Sequence, residues 1–127
     1  MKDDMKILVA YDGSDQSKNA LSEAIQIAKK FSGALTVFHC YWNESLEASM
    51  LMMKENEKRL KEASIKYEYK NDRTNTPPTR ILSVADEGGF DLIVIGSRGM
   101  GGARAWMLGS VSNKVTAEAN VPVLVVK

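Results

Sequence analysis

Apolar side chains fall alternately in short runs and in helical stripes along this chain. Ile7 to Ala10 form an apolar run closed by Tyr11-Asp12-Gly13-Ser14, which reads as a buried strand ending in a turn. From about Asp15, Ala20, Leu21, Ala24, Ile25, Ala28 and Phe31 recur at helical spacing. Ser14 or Asp15 can cap that helix, and Gly33 suits the left-handed position after its end. Leu35 to Cys40 predict a second strand. Leu46, Met50, Met53, Glu57 and Leu60 follow at spacings of four, three, four and three, a long helix with one apolar stripe interrupted at Glu57. The cluster Met50-Leu51-Met52-Met53 reads as core filling with some surface exposure, or as a partner groove.

Ile65, Tyr67 and Tyr69 alternate with Lys66, Glu68 and Lys70, a period-two strand with one wet face that belongs at a sheet edge. Asn71 to Pro78 reads as a polar loop. Ile81, Leu82 and Ala85 mark a helix stopping at Gly88-Gly89. Asp91 to Ile95 form a strand apolar on both faces. Val111, Val115 and the alanines to Ala119 make a last helix, ended near Asn120 and Pro122, and Val121 to Val126 the last strand. Five strands alternating with four helices predict an α/β fold with a parallel sheet and right-handed crossovers. No repeat, linker or composition shift divides it, so residues 1–127 are expected to form a single domain.

Composition narrows the function classes. With 17 basic and 16 acidic side chains, the net charge of +1 offers no footprint for nucleic acid or an anionic membrane surface. No run approaches the ~18 apolar residues of a membrane span. The start lacks the features of a secretion signal, so a cytoplasmic location is expected. The single cysteine, Cys40, excludes an intrachain disulfide framework. No basic neighbour or helix start argues for a reactive thiolate there, and His39 reads as a packed strand residue.

The chemistry concentrates between Gly96 and Ser110, where five of fifteen residues are glycine. Ligands of open parallel sheets bind beyond the carboxyl ends of the strands, and this stretch follows one. Its glycines let a ligand approach the main chain closely. The Gly109-Ser110-Val111 end opens the last helix, where unpaired amides and the helix dipole favour a phosphate. Ser110 either adds a hydrogen bond to that ligand or caps the helix. The P-loop, the dinucleotide fingerprint, Gly-x-Ser-x-Gly, His-Glu-x-x-His and Cys-x-x-Cys do not fit. What fits is Gly96-x2-Gly99-x9-Gly109-Ser110.

With that spacing the chain resembles the ATP-binding branch of the universal stress protein (UspA-like) family. The resemblance also covers Ile7 to Ser14, Asp91 to Gly99 and Val121 to Val126. It implies a Rossmann-like sandwich whose five-stranded parallel sheet has the order 3-2-1-4-5, with helices on both faces and a switch point between strands one and four. It implies that Ala10 and Tyr11 line the base pocket and that Asp12 faces the ribose or a phosphate-bound Mg2+. Cys40 would offer its backbone to the adenine edge. Gly96, Arg98 and Gly99 would sit by ribose and phosphate, and Gly109, Ser110 and Val111 at the phosphates. Trp106 and Met107 would cover the ligand or pack on a neighbouring subunit.

Two departures stand out. Asn75 occupies the first position of a usual Gly-x-Pro, where its tolerance of left-handed backbone would preserve the turn. The segment between strands two and three is short, leaving the nucleotide less covered. In the implied order the last strand is an uncharged edge, Val121, Val123, Leu124, Val125 and Val126, which predicts a homodimer with those strands antiparallel. The expected function is stress-responsive regulation through ATP (or ADP or AMP) with Mg2+, with at most slow hydrolysis and no catalytic residue assigned. The alternative is a ligand-independent dimeric scaffold or chaperone-like interaction protein. A phosphatase is disfavoured, because position 14, where a second aspartate would be needed, is Ser14.

Overall fold

The computed structural model describes residues 4–98 and 109–127. Its elements run β1 (Lys6–Ala10), α1 (Asp15–Phe31), β2 (Ala34–Tyr41), α2 (Leu46–Lys54), α3 (Glu57–Glu62), β3 (Lys66–Arg73), α4 (Pro77–Glu87), β4 (Leu92–Gly96), α5 (Ser110–Glu118) and β5 (Val123–Val126). The strands form one sheet in the order β3-β2-β1-β4-β5, with every neighbouring pair parallel. This is the architecture expected from the sequence.

Alternation of side chains splits the core into two layers. Ile7, Val9, Leu35, Val37 and Val94 point to the side covered by α1, α2 and α3, with Leu21, Met53 and Leu60 packed on them. Leu8, Phe38, Ile93 and Ile95 point to the side of α4 and α5, with Ile81, Val84 and Val115 on them. The central strands are apolar on both faces because both faces are covered. In β3 exposure alternates at first, as suits an edge.

Three local readings change. The long helix divides into α2 and α3 at Glu55-Asn56, just before the position, Glu57, where its apolar stripe is interrupted. Buried Asn56 turns its amide back to the Met53 carbonyl (3.3 Å), and its own N–H bonds the same oxygen (3.1 Å). Strand β3 runs on through Asn71-Asp72-Arg73, which pair with His39, Cys40 and Tyr41, so the polar loop begins later. At the end of α1 the left-handed residue is Ser32 (φ 54°), not Gly33. Gly33 is required by crowding instead: a Cβ there would lie 2.9 Å from the Met5 carbonyl and 3.4 Å from the Ala28 Cα.

These two adjacent positions carry opposite constraints, so substitutions there move stability in opposite directions. Ser32→Gly relieves left-handed strain and raises stability by about 0.5–1 kcal/mol. Gly33→Ala overpacks a buried turn and lowers it by about 1–3 kcal/mol. Urea unfolding midpoints measure both, and a lowered midpoint for Ser32→Gly would contradict the strain assigned to that residue.

Candidate functional site

The connection from β1 leads to β2 on one side, and that from β4 to β5 on the other. Their carboxyl ends therefore flank the crevice where such sheets take ligands. Along a strand, successive backbone N–H and C=O pairs point alternately to the two neighbouring strands. Tyr11 N–H donates to the Phe38 carbonyl (2.8 Å), so even-numbered residues of β2 face β1. Thr74 N–H donates to Tyr41 (2.8 Å), so the odd ones face β3. The β1–β2 ladder stops at Ala10 and Phe38. The backbone of Cys40 thus faces the β1 side one step beyond the last pair.

The same alternation holds on the other flank. Ile93 and Ser97 donate to Pro122 (3.0 Å) and Val126 (2.6 Å) on the β5 side. Gly96 therefore faces β1, past the ladder's end at Val9 and Val94. Two backbones, each with a donor and an acceptor, open onto the crevice around the end of β1.

Gly96 is glycine for another reason than ligand approach. A Cβ there would lie 2.8 Å from both the carbonyl carbon and the Cβ of Gln16, in the first turn of α1. Helix α1 sits directly on the end of β4, and only a residue without a side chain fits between them.

Asp12 forms the turn between β1 and α1. Its Oδ1 accepts from Ser14 N–H (2.9 Å), and its own N–H donates to Ser17 Oγ (3.3 Å). Ser14 caps α1 by accepting from Ser17 N–H (3.2 Å). Gly13 takes φ 83°, with Met52 of α2 at 2.9 Å from the place of a Cβ. The half-buried Asp12 thus has a structural role at the mouth of the crevice. Ala10, Cys40 and Val111 share the α4/α5 face. Tyr11 does not: its side chain is buried in the opposite layer, so only its backbone can line a pocket with Ala10.

The start of α5 is tied to the end of β4 through one carbonyl. Ser97 C=O accepts from Gly109 N–H (2.7 Å) and from Ser112 Oγ (2.8 Å), which also reaches the Gly109 carbonyl (3.1 Å). Gly109 is the N-cap at φ −68° and ψ 164°, and no side chain caps the helix. Ser110 is therefore not the cap. The first intrahelical bond is Asn113 N–H to Gly109 (2.9 Å). The amides of Ser110, Val111 and Ser112 precede it and have no carbonyl one turn back in the helix. Nη1 of half-buried Arg98 is enclosed without a hydrogen-bond partner among the described residues. Gly99, Trp106 and Met107 lie outside the described residues.

Sequence reasoning missed Ser97 and Ser112, which bracket the glycine-rich stretch and hold its two ends together. It also missed the anchor of α2. Ser49, fully buried, accepts from Asn71 Nδ2 (2.6 Å) and lies 2.6 Å from His39 Nδ1. The direction of the Ser49–His39 bond follows the tautomer of the ring, and Nε2 lies 3.7 Å from Glu44 Oε1. Burial lowers the His39 pKa below 6.5, against the opposing pull of Glu44 and Asp12. Burial likewise pushes the Cys40 thiol up to about 12, so it stays neutral.

The profile of the universal stress protein family matches residues 5–127. The universal stress protein YxiE of Bacillus subtilis is 36% identical over 145 aligned residues, covering 96% of this chain and 98% of its own. A universal stress protein crystallised in complex with cAMP superposes with a TM-score of 0.80 at 28% identity, over 97% of this chain and 96% of its own. That of Archaeoglobus fulgidus in complex with dAMP gives 0.73 at 27% identity, over 97% and 98%.

His39 is the chain's single histidine, so its titration is directly visible by NMR. The imidazole is expected to titrate below 6.5. Because the folded pKa is depressed, protonation favours the unfolded chain. The contribution of His39 to stability is complete above pH 6.5 and is lost as pH falls from there toward the folded pKa. Ser49→Ala leaves Asn71 and His39 without their shared partner and costs about 1–3 kcal/mol in urea unfolding. A histidine titrating at or above 6.5 would contradict its enclosure.

Proposed function

The chain belongs to the universal stress protein family, and we propose that it is a stress-responsive regulatory protein that binds an adenine nucleotide, ATP with Mg2+, at the β1/β4 switch point. The observation carrying this reading is the convergence there of the outward-facing backbones of Cys40 and Gly96 with the uncapped amides of α5. Backbone donors beside acceptors suit the edge of a base, and free amides at a helix start suit phosphate. Relatives crystallised with cAMP and dAMP support an adenine nucleotide as the ligand class.

In this reading Ala10, the Tyr11 backbone and Cys40 meet the base. Asp12 meets the ribose or the metal, and Gly96 the ribose. Arg98 and Gly99, with Gly109, Ser110 and Val111, take the phosphates. Among the described residues no group of three or more His, Cys, Asp or Glu is placed to hold a metal. Mg2+ would arrive on the phosphates, with Asp12 as a single added carboxylate. The arrangement favours binding, with at most slow hydrolysis.

A dimer through β5 belongs to the same proposal. Leu124 and Val126 bond toward β4, so the N–H and C=O groups of Val123 and Val125 face outward on the free edge. A ligand-independent dimeric scaffold is the reading to which the protein returns if no nucleotide binds.

Equilibrium dialysis with labelled ATP and Mg2+ is expected to show saturable binding. Arg98→Ala weakens it about tenfold, one charge-assisted contact, and leaves adenosine unaffected. The absence of saturable ATP binding would refute the nucleotide reading.

Sedimentation tests the dimer separately. Val125→Pro removes an outward N–H, a position where an edge strand tolerates proline, and is expected to convert the dimer to monomer with the helical circular-dichroism signal intact. A Val125→Pro protein that stays dimeric would exclude the β5 edge as the interface.

A further inference from the structure

The sheet ends on one side at β5 and on the other at β3. Thr74 N–H donates to the Tyr41 carbonyl (2.8 Å), so even-numbered residues of β3 bond toward β2. The N–H and C=O groups of Tyr67, Tyr69, Asn71 and Arg73 therefore point outward along this edge. We propose that the β3 edge is a second self-association surface. Its occupant is β3 of another copy of the chain, antiparallel, about a two-fold axis through Tyr69. The proposal goes beyond the nucleotide reading and is independent of it.

The order of charges selects this occupant. Lys66, Glu68, Lys70 and Asp72 alternate in sign along one face of the strand. Centred on Tyr69, an antiparallel copy sets Glu68 opposite Lys70 and Lys66 opposite Asp72, each pair twice by symmetry. A slip of two residues sets Glu68 or Lys70 opposite itself. A slip of one residue sets outward backbone groups against inward ones. The register through Tyr69 is the one that gives all four charges an opposite partner. Charges of one sign, placed to keep an edge unpaired, would repel a second copy in every register.

Within the protomer, Glu68 accepts from Thr36 Oγ1 (3.2 Å), and Asp72 accepts from Arg80 Nε (2.7 Å). These bonds hold the two carboxylates along the strand. Lys66 is exposed, and the Lys70 side chain is 38% exposed with its Nζ 3.8 Å from Asp72 Oδ1. Both amines can reach across the edge.

The opposite face brings apolar surface to the same edge. Ser49 of α2 bonds Asn71 of β3, while Met52 rests on Gly13, beyond the end of β1. At about 100° per residue, Leu46 and Met50 lie on the flank of α2 turned away from Met52, on the β3 side. They are 42% and 46% exposed. Half-buried Tyr67 and Tyr69 lie on this same face of the strand, with ring centroids 5.7 Å apart. The two-fold axis brings the apolar flanks of both copies to one face of the seam. Charge pairs in water contribute little each and are screened by salt. This contact is therefore weaker than the β5 pairing and forms in concentrated protein at low ionic strength.

The full chain carrying Val125→Pro isolates the contact, because its β5 edge is blocked. In sedimentation equilibrium it is expected to be monomeric when dilute and to dimerise in low salt with a Kd of about 0.1–1 mM. Salt at ~0.5 M is expected to return it to monomer. Glu68→Lys or Lys70→Glu alone sets like charges opposite each other and is expected to weaken the association about tenfold. The two substitutions together exchange the signs and restore it. Lys70→Glu leaves the Thr36 bond intact, and retained circular dichroism establishes that each variant folds. A Val125→Pro chain that stays monomeric at millimolar concentration overturns the proposal. So do single variants that associate as well as the parent, or a double variant that stays dissociated. Loss of the nucleotide reading leaves the β3 contact standing.

Discussion

The carboxyl end of the sheet is organised by the contact between the backbone of Gly96 and the first turn of α1. A Cβ at Gly96 would lie 2.8 Å from Gln16, closer than unbonded carbons approach, so the helix can rest there only on glycine. That approach brings the turn containing Asp12 beside the end of β4. From Ser97, one residue on, the chain bonds β5 through its N–H and α5 through its carbonyl. Strand, helix and edge are joined at consecutive residues, and the glycine-rich stretch leaves and returns at that junction. Position 96 thus supports the site without needing to touch a ligand.

Much of the fold was legible because burial leaves a simple pattern. β1 and β4 are covered on both faces and read as uninterrupted apolar runs, and β3 announced its edge position by alternation. What was not legible depends on side chains that look alike in different settings. Asn71-Asp72-Arg73 has the composition of a loop, yet it is the end of an edge strand whose polar groups reach Ser49 and Arg80. Asn56 lies inside the predicted long helix, but its amide competes for the Met53 carbonyl and breaks the helix. Gly33 and Ser32 exchanged their expected duties because crowding against Met5 cannot be read from one sequence. The sheet order came from family resemblance, since periodicity alone does not order strands.

The candidate site was legible in a similarly uneven way. Its location followed from glycines after an apolar strand and before a helix. The face to which each residue points did not follow: Ala10 and Tyr11 are neighbours in sequence and occupy opposite layers of the core. The polar anchor of α2 was hidden for a related reason. Ser49, His39 and Asn71 come from three elements, and nothing local marks them as partners. In the fold they form a buried network within an otherwise apolar interface, where each bond fixes the position of α2 more narrowly than packing alone. Because Met52 of that helix rests on Gly13, the network also steadies the turn that carries Asp12.

The same engagements bear on whether the site turns its ligand over. Acid–base catalysis at neutral pH needs a group placed at the reacting atoms with a pKa near the working pH. Asp12 has one carboxylate oxygen committed to Ser14 N–H. His39 is buried, and its Nδ1 is occupied by Ser49. The Cys40 thiol, at about 12, is far from forming a nucleophile. Asp12 and His39 are thus engaged in holding the structure, and Cys40 stays neutral. What remains directed outward is backbone amide and carbonyl. Those groups recognise shape and charge and move no protons. Such groups suit a site that responds to occupancy rather than to turnover, and the bonds from Ser97 to α5 and β5 place both elements next to it.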